Sequence, residues 1–165
     1  MRKGFTLIEM MISVAILSIL LLFLYKSYAE LNIANKGYGE VVGVLKKIQK
    51  VKEVLYLDLA LAKEITIIPQ DTKHDVVLLQ TAHSIHKRFE PYVGLMLKEG
   101  HLYRIESLKK LVYPLDANSN FVVDDLGTVV SMRLYKNKQK KELYLLHILF
   151  KNKKEIFFKV KALNI

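Results

Sequence analysis

The N-terminal part of the chain is dominated by one long apolar run. From residue 5 to residue 24, only four polar side chains interrupt the apolar ones, namely Thr6, Glu9, Ser13 and Ser18. At the rise of an α-helix the run is about 30 Å long, which matches the hydrocarbon thickness of a bilayer. The pattern therefore predicts a membrane-spanning helix.

A second helical pattern follows, in which apolar residues recur at spacings of three and four. This face consists of Val41, Val44, Ile48, Val51, Leu55, Leu59 and Ala62. Lysines 46, 47, 50 and 52 occupy the other faces, which predicts an amphipathic helix packed on a folded head. Gly37, Gly39 and Gly43 precede the stripe and each costs about 1 kcal/mol of helix propensity relative to alanine, so a bend or softened turn is expected there.

Beyond the helix the pattern changes to short apolar or alternating runs, which are typical of strands. The predicted strands are Ile65–Ile68, Val76–Thr81, Tyr92–Lys98, His101–Glu106, Val129–Lys136, Glu142–Phe150 and Glu155–Val160. Glu99-Gly100 and residues 151–154 predict hairpin turns, and Pro69 and Pro91 mark strand ends. The expected fold class is α+β, with a long N-terminal helix, part membrane stem and part amphipathic, packed on an antiparallel β-sheet head.

Composition narrows the function classes. The chain has 165 residues, which suits one modest head plus one specialised segment. It has no cysteine, which excludes disulfides and thiolate metal sites, and a formal charge of +10 that is compatible with anionic partners. It carries no nucleophile elbow and no glycine-rich phosphate loop, so we expect neither an enzyme nor a cofactor.

Glu9 distinguishes three interpretations of the apolar run: a cleaved secretory signal, a signal anchor, and a membrane helix with a special purpose. Arg2 and Lys3 place the start of the chain on the cytoplasmic side in all three. An unpaired acid within such a segment costs about 2.5–3.5 kcal/mol on insertion scales. Because no cationic residue lies between Phe5 and Tyr25, the partner of Glu9 is expected to be an amine released by cleavage or a group on another chain.

The residues from Gly4 to Glu9, read Gly-Phe-Thr-Leu-Ile-Glu, resemble the prepilin signature of type IV pilins and pseudopilins, with Arg2 and Lys3 as a short basic leader. The resemblance implies that a prepilin peptidase cuts between Gly4 and Phe5 and that Phe5 is then N-methylated. It also implies that Glu9 neutralises the Phe5 amine of a neighbouring subunit and so sets register in a filament. A charge pair in low dielectric is well suited to that task.

The resemblance also implies a division of the chain. Residues 1–4 form the leader, residues 5–25 the transmembrane and assembly helix, residues 26–63 the amphipathic helix, and residues 64–165 a β-rich periplasmic head. The protein would be a single-pass protein of the bacterial inner membrane with a cytoplasmic N-terminus, and its partners would be the prepilin peptidase, an inner-membrane assembly platform and other pilins or pseudopilins. Ser27-Tyr28-Ala29 is a rival candidate for cleavage by a signal peptidase, because it has small residues at the required spacing. The adjacent Lys26 counts against this interpretation.

Later segments resemble one subclass, the larger J-type minor pseudopilins of type II secretion. They are Tyr56–Ala60, Tyr92–Leu95 and Gly100–Arg104. The resemblance implies a minor pseudopilin in the initiating or tip complex of a pseudopilus. Two alternatives stay open: a minor pilin or competence pseudopilin whose basic head contacts DNA, and a membrane-tethered binding domain that forms no filament.

Two groups of residues have a ligand-like pattern. Asp116, Asn118 and Asn120, followed by Asp124 and Asp125, begin like a calcium loop but lack its sixth-position glycine and its final acid, so a polar turn is the preferred interpretation. His83 and His86, with Glu90 beyond, have a spacing that would place ligands on one helical face, although a solvated segment explains them equally.

Lysines cluster in two predicted turns, which would form one DNA-contacting patch if the turns are neighbours. The clusters are Lys136, Lys138, Lys140 and Lys141, and Lys151, Lys153 and Lys154. Charged turns at sheet edges also discourage aggregation, which is the simpler explanation.

Overall fold

The computed structural model describes residues 6–115, 120–140 and 142–165, without the side chain of Glu40. Contacts divide the chain into two units, Met1–Lys47 and Ile48–Ile165. The first unit contains the apolar stem. The second contains the end of the helix and the whole sheet.

One helix, α1, runs from Leu7 to Ala60. It continues through Gly37, Gly39 and Gly43, so the expected softening does not end the helix at these positions. The predicted amphipathic stripe is confirmed from Ile48 onward: Leu55 and Leu59 are fully buried, and Ile48 and Val51 pack partly buried against the core. Ala62 belongs to the first strand, because the helix ends before it.

Seven strands form one antiparallel sheet in sequential order. They are β1 (Ala62–Pro69), β2 (Asp75–Thr81), β3 (Tyr92–Lys98), β4 (His101–Ser107), β5 (Phe121–Lys136), β6 (Leu143–Phe150) and β7 (Glu155–Lys161). This confirms the α+β class and all seven predicted strands. The Glu99-Gly100 hairpin is also confirmed, and its two residues have positive φ angles of 53° and 78°, as a twisted two-residue turn requires.

The main error concerns β5, which begins at Phe121 and not at Val129. Its first half pairs with β4, placing Asp124 beside Arg104 and Asp125 beside Tyr103. Its second half pairs with β6. The sequence pattern of Asp124, Asp125 and Gly127 is typical of a polar turn. Within the sheet, however, basic side chains compensate the two aspartates, so these residues form a strand.

The helix end and the inner face of the sheet share one apolar core. Leu55 and Leu59 of α1 lie in a buried cluster with Val77, Leu95 and Leu146 of the sheet. Full burial of one such leucine contributes about 1.5–3 kcal/mol. The last turns of α1 are therefore a structural part of the head.

The outer face of β1–β4 is covered by the segment that follows β4. Leu111 in this segment is 7% exposed and lies over Gly94. A Cβ atom at Gly94 would lie 3.3 Å from Leu111 Cδ1 and 3.4 Å from Leu78 Cδ2. Gly94 therefore leaves the space that Leu111 occupies.

We expect Gly94→Val to destabilise the head by about 1–3 kcal/mol, because the larger side chain overpacks the contact with Leu111. Chemical denaturation of the purified chain in detergent measures this loss. Since the crowding involves Leu111, the cost of Gly94→Val should shrink in a Leu111→Ala background. Equal costs in the two backgrounds would contradict the packing account.

Candidate functional site

The first turn of α1 contains a reciprocal hydrogen-bonded cap. The Thr6 backbone N–H and the Thr6 hydroxyl both donate to Glu9 Oε2, each over 2.9 Å. The Glu9 N–H donates back to Thr6 Oγ1 over 3.4 Å. Thr6 is the N-cap and Glu9 the third helical residue, which is the arrangement of a capping box.

Thr6 is a local partner of Glu9 that the sequence analysis did not predict. The spacing Thr6-x-x-Glu9 immediately before an apolar run is the signal that would have revealed it. The positive end of the helix dipole also favours a carboxylate at this position. The cap satisfies hydrogen bonds of the carboxylate but supplies no countercharge.

The stem that follows Glu9 is apolar and exposed. Within the described residues, α1 is the helix that is long and apolar enough to cross a membrane. Its large side chains from Leu7 to Leu24 remain open to solvent in the isolated chain. Such a surface requires lipid or other apolar helices around it. The predicted processing and orientation residues, Arg2, Lys3, Gly4 and Phe5, lie outside the described residues.

A buried ionic cluster joins the end of α1 to the sheet. Arg104 of β4 and Asp58 of α1 are both fully buried. Arg104 donates from Nε to Asp58 Oδ2 over 2.8 Å and from Nη2 to Asp58 Oδ1 over 3.0 Å. Its Nη1 donates to the buried Glu106 over 2.6 Å and lies 3.7 Å from Asp124 of β5. The bidentate geometry fixes the helix end against two strands.

The loop between β2 and β3 is held by the same cluster. His83 Nδ1 lies 2.7 Å from Asp58 Oδ1, and His86 Nε2 lies 2.9 Å from Asp124 Oδ2. Ser84 donates its hydroxyl to Glu106 over 2.6 Å. The helical arrangement suggested for His83 and His86 is wrong, because residues 82–91 form a loop. Each histidine there has its own carboxylate.

The electrostatics of the cluster favour its charged forms. Burial alone would raise the pKa of Glu106, but the hydrogen bond from Ser84 and the ion pair with Arg104 hold it below its usual value. Burial would likewise lower the pKa of Arg104, but the bonds to Asp58 and Glu106 raise it. Arg104 therefore stays protonated beside an ionised Glu106.

The residues of the calcium pattern lie partly outside the described residues and partly in β5 or directly before it. Asp116 and Asn118 lie outside the described residues, and the Asn120 carbonyl accepts a hydrogen bond from Ser107 over 3.4 Å. Asp124 and Asp125 point to His86 and His101 from within β5. Among the described residues, no group of three or more histidine or acidic side chains has an arrangement that would hold a metal ion.

The two lysine clusters do not form one patch. Lys136, Lys138 and Lys140 lie at or beyond the end of β5, before β6 begins, whereas Lys151, Lys153 and Lys154 follow the end of β6. Because β6 separates them, the two turns stand about 25 Å apart. Lys141 lies outside the described residues.

The fold and the stem together define a class of protein: a single apolar helix whose far end is built into a small antiparallel sheet. Residues 1–25 match the model of the prokaryotic N-terminal methylation motif, which is the signature of type IV pilins and pseudopilins. No curated protein is significantly similar to the chain. The motif indicates a structural subunit, processed by prepilin peptidase and assembling with other pilins, and fits a single-pass inner-membrane protein.

We expect Arg104→Met to cost about 3–5 kcal/mol of head stability, because it leaves Asp58 and Glu106 buried without a countercharge. Chemical denaturation of the full chain in detergent gives the value. Adding Asp58→Asn and Glu106→Gln should recover much of the loss.

The matched control is Lys63→Gln, which breaks the exposed pair between Lys63 and Glu90, 2.6 Å apart. It should cost less than about 1 kcal/mol. A similar small cost for Arg104→Met would show that the buried cluster does not hold the helix end.

Proposed function

We propose that the chain is a minor pseudopilin, a structural subunit in the initiating or tip complex of a type II secretion-like pseudopilus. The observation that carries the proposal is Glu9, a carboxylate in the capped first turn of an apolar stem that bears the methylation motif. The J-type assignment and the secretion system are part of the proposal. They rest on the segments that resemble J-type subunits.

The proposal divides the chain into a leader of residues 1–4, a transmembrane and assembly helix of residues 5–25, a helix that continues into the head, and a β-rich periplasmic head. Arg2 and Lys3 orient insertion with the N-terminus in the cytoplasm. Gly4 and Phe5 define the cleavage and methylation site. The continuous helix to Ala60 supports this division, with the helical part ending slightly before the expected residue 63.

Assembly follows from what the stem requires. Neighbouring stems in a filament replace the lipid around the apolar residues from Leu7 to Leu24. The amine released at Phe5 of one subunit then supplies the countercharge that the cap does not give to Glu9 of another. Both Thr6 bonds go to Oε2 of Glu9, and a carboxylate has two oxygens, so the cap and an intersubunit ion pair are compatible.

The first prediction of this proposal concerns processing. Mass spectrometry of the protein from its own cells should show a mature N-terminus at Phe5 that carries one added methyl group. A Gly4→Glu variant should accumulate as the uncut precursor. An intact leader in the wild type, or a start after Ala29, would favour a membrane-tethered or secreted domain instead.

The second prediction separates the charge of Glu9 from its capping role. Glutamine also serves as the partner in a capping box, so Glu9→Gln keeps the hydrogen bonds of the cap and removes the charge. We expect Glu9→Gln and Glu9→Leu to lower co-assembly with companion pilins by at least about tenfold while the protein still enters the membrane. Cross-linking and co-purification in cells measure this.

Thr6→Ala provides the matched control, because it removes both hydrogen bonds of the Thr6 hydroxyl and keeps the charge of Glu9. It should weaken the first helical turn by about 1 kcal/mol and leave most assembly intact. If Glu9→Gln assembles like the wild type while Thr6→Ala does not, the cap and not the ion pair is the function of Glu9.

A further inference from the structure

The outer face of β5–β7 differs from that of β1–β4, because it leaves exposed aromatic rings. We call it the open face, and its central side chains are Arg133, Tyr135, Leu145, His147, Phe157 and Lys159. Neighbouring residues on these strands, such as Leu134, Leu146 and Ile156, point into the core. On the open face Tyr135 is 47% exposed and Phe157 is 60% exposed.

Pairing of the strands arranges the open face in two rows. Tyr135 pairs with Leu145, which pairs with Lys159. Arg133 pairs with His147, which pairs with Phe157. Each row therefore carries one exposed ring and at least one basic side chain.

The rings stand beside basic groups. The guanidinium carbon of Arg133 lies 5.6 Å from the centroid of the Tyr135 ring, and its Nε lies 3.4 Å from Asp75 Oδ2, so the positive charge available to a ligand comes mainly from the lysines. The rings of His147 and Phe157 meet edge to face with centroids 6.0 Å apart. From strand spacing and the two-residue offset, Tyr135 and Phe157 lie about 12 Å apart.

Positive charge gathers at one end of the open face. Lys138 and Lys140 lie in the turn that follows β5, and the pairing of Leu143 with Lys161 brings the end of β7 to the same edge. Lys136, in contrast, lies over the ring of the buried Tyr144. Glu142 lies at this edge and is paired with Lys161 over 2.9 Å. A shallow pocket of about 210 Å³ lies at this edge of the sheet. Its lining includes Tyr135, Lys136, Leu145 and Lys159.

We propose that the open face binds single-stranded nucleic acid, with bases stacked on Tyr135 and Phe157 and phosphates on the lysines of the hairpin edge. Exposed rings next to cationic groups are the elements that sequence-tolerant single-strand binding uses. The separation of about 12 Å leaves room for different bases of one extended strand to stack on the two rings. A duplex hides the faces of its bases, and an acidic peptide would use the lysines without the rings.

This proposal does not depend on the filament assignment. It also differs from the expectation drawn from sequence, because it uses only the lysines of one turn together with β7. Lys151, Lys153 and Lys154 lie at the other end of β6 and take no part.

The test uses the full chain in detergent and a fluorescein-labelled oligothymidine, with binding followed by fluorescence anisotropy at increasing salt. We expect affinity to fall steeply with salt. Tyr135→Leu and Phe157→Leu keep apolar side chains and remove the rings, so each should weaken binding about 5- to 100-fold. Circular dichroism and melting temperature confirm that the variants fold.

Two charge-matched double variants locate the phosphate contacts. Lys138→Gln with Lys140→Gln should weaken binding and reduce the salt slope by about 1.4, since each phosphate contact on a single strand contributes about 0.7. Lys151→Gln with Lys154→Gln removes the same charge at the opposite end and should leave the slope nearly unchanged.

Several outcomes would overturn the proposal. Absence of binding at low salt, equal effects of the two lysine pairs, or full affinity in both ring variants would each do so. If polyglutamate competes as well as the oligonucleotide, the face serves an acidic protein instead. A duplex bound as tightly as the single strand would exclude stacking on the rings.

Discussion

Arg104 is the charge around which the head is organised. Its guanidinium reaches the end of α1 through Asp58, its own strand through Glu106 and the neighbouring strand through Asp124. The loop between β2 and β3 joins the same carboxylates through His83, Ser84 and His86. Burying so many ionised groups yields little net stability, because desolvation offsets their attraction. The cluster acts through geometry, since the two hydrogen bonds from Arg104 to Asp58 fix the helix end relative to β4.

A carboxylate lies near each end of α1, and the surroundings of the two carboxylates differ. Asp58 is buried in the head and meets a guanidinium from its own chain. Glu9 lies in an apolar stem, where the N–H and hydroxyl of Thr6 satisfy its hydrogen bonds but not its charge. In the proposed filament the missing charge comes from the amine of another subunit. One helix would thus be anchored in its own fold at one end and in an assembly at the other.

The two outer faces of the sheet are also unlike each other. Gly94 makes room for Leu111, so that the segment after β4 covers the face of β1–β4. The face of β5–β7 presents Tyr135 and Phe157 beside basic side chains. Tyrosine is enriched at interfaces because its ring is apolar and its hydroxyl is polar. This asymmetry is the reason to look for a ligand of the head on β5–β7.

The sequence by itself determined the stem, the prepilin-type motif, the α+β class and the existence of all seven strands, because these depend on local periodicity, turn residues and a contiguous signature. It also contains the Thr6–Glu9 cap, because the Thr-x-x-Glu spacing before an apolar run is a local pattern. Only the tertiary structure decided that Asp124 and Asp125 lie in a strand, that His83 and His86 serve separate carboxylates, and that the two lysine turns are far apart. Each of these depends on which distant residues the sheet brings together. A charge pattern along the chain does not carry that information, because the same aspartate is favoured in a solvated turn and beside a buried arginine.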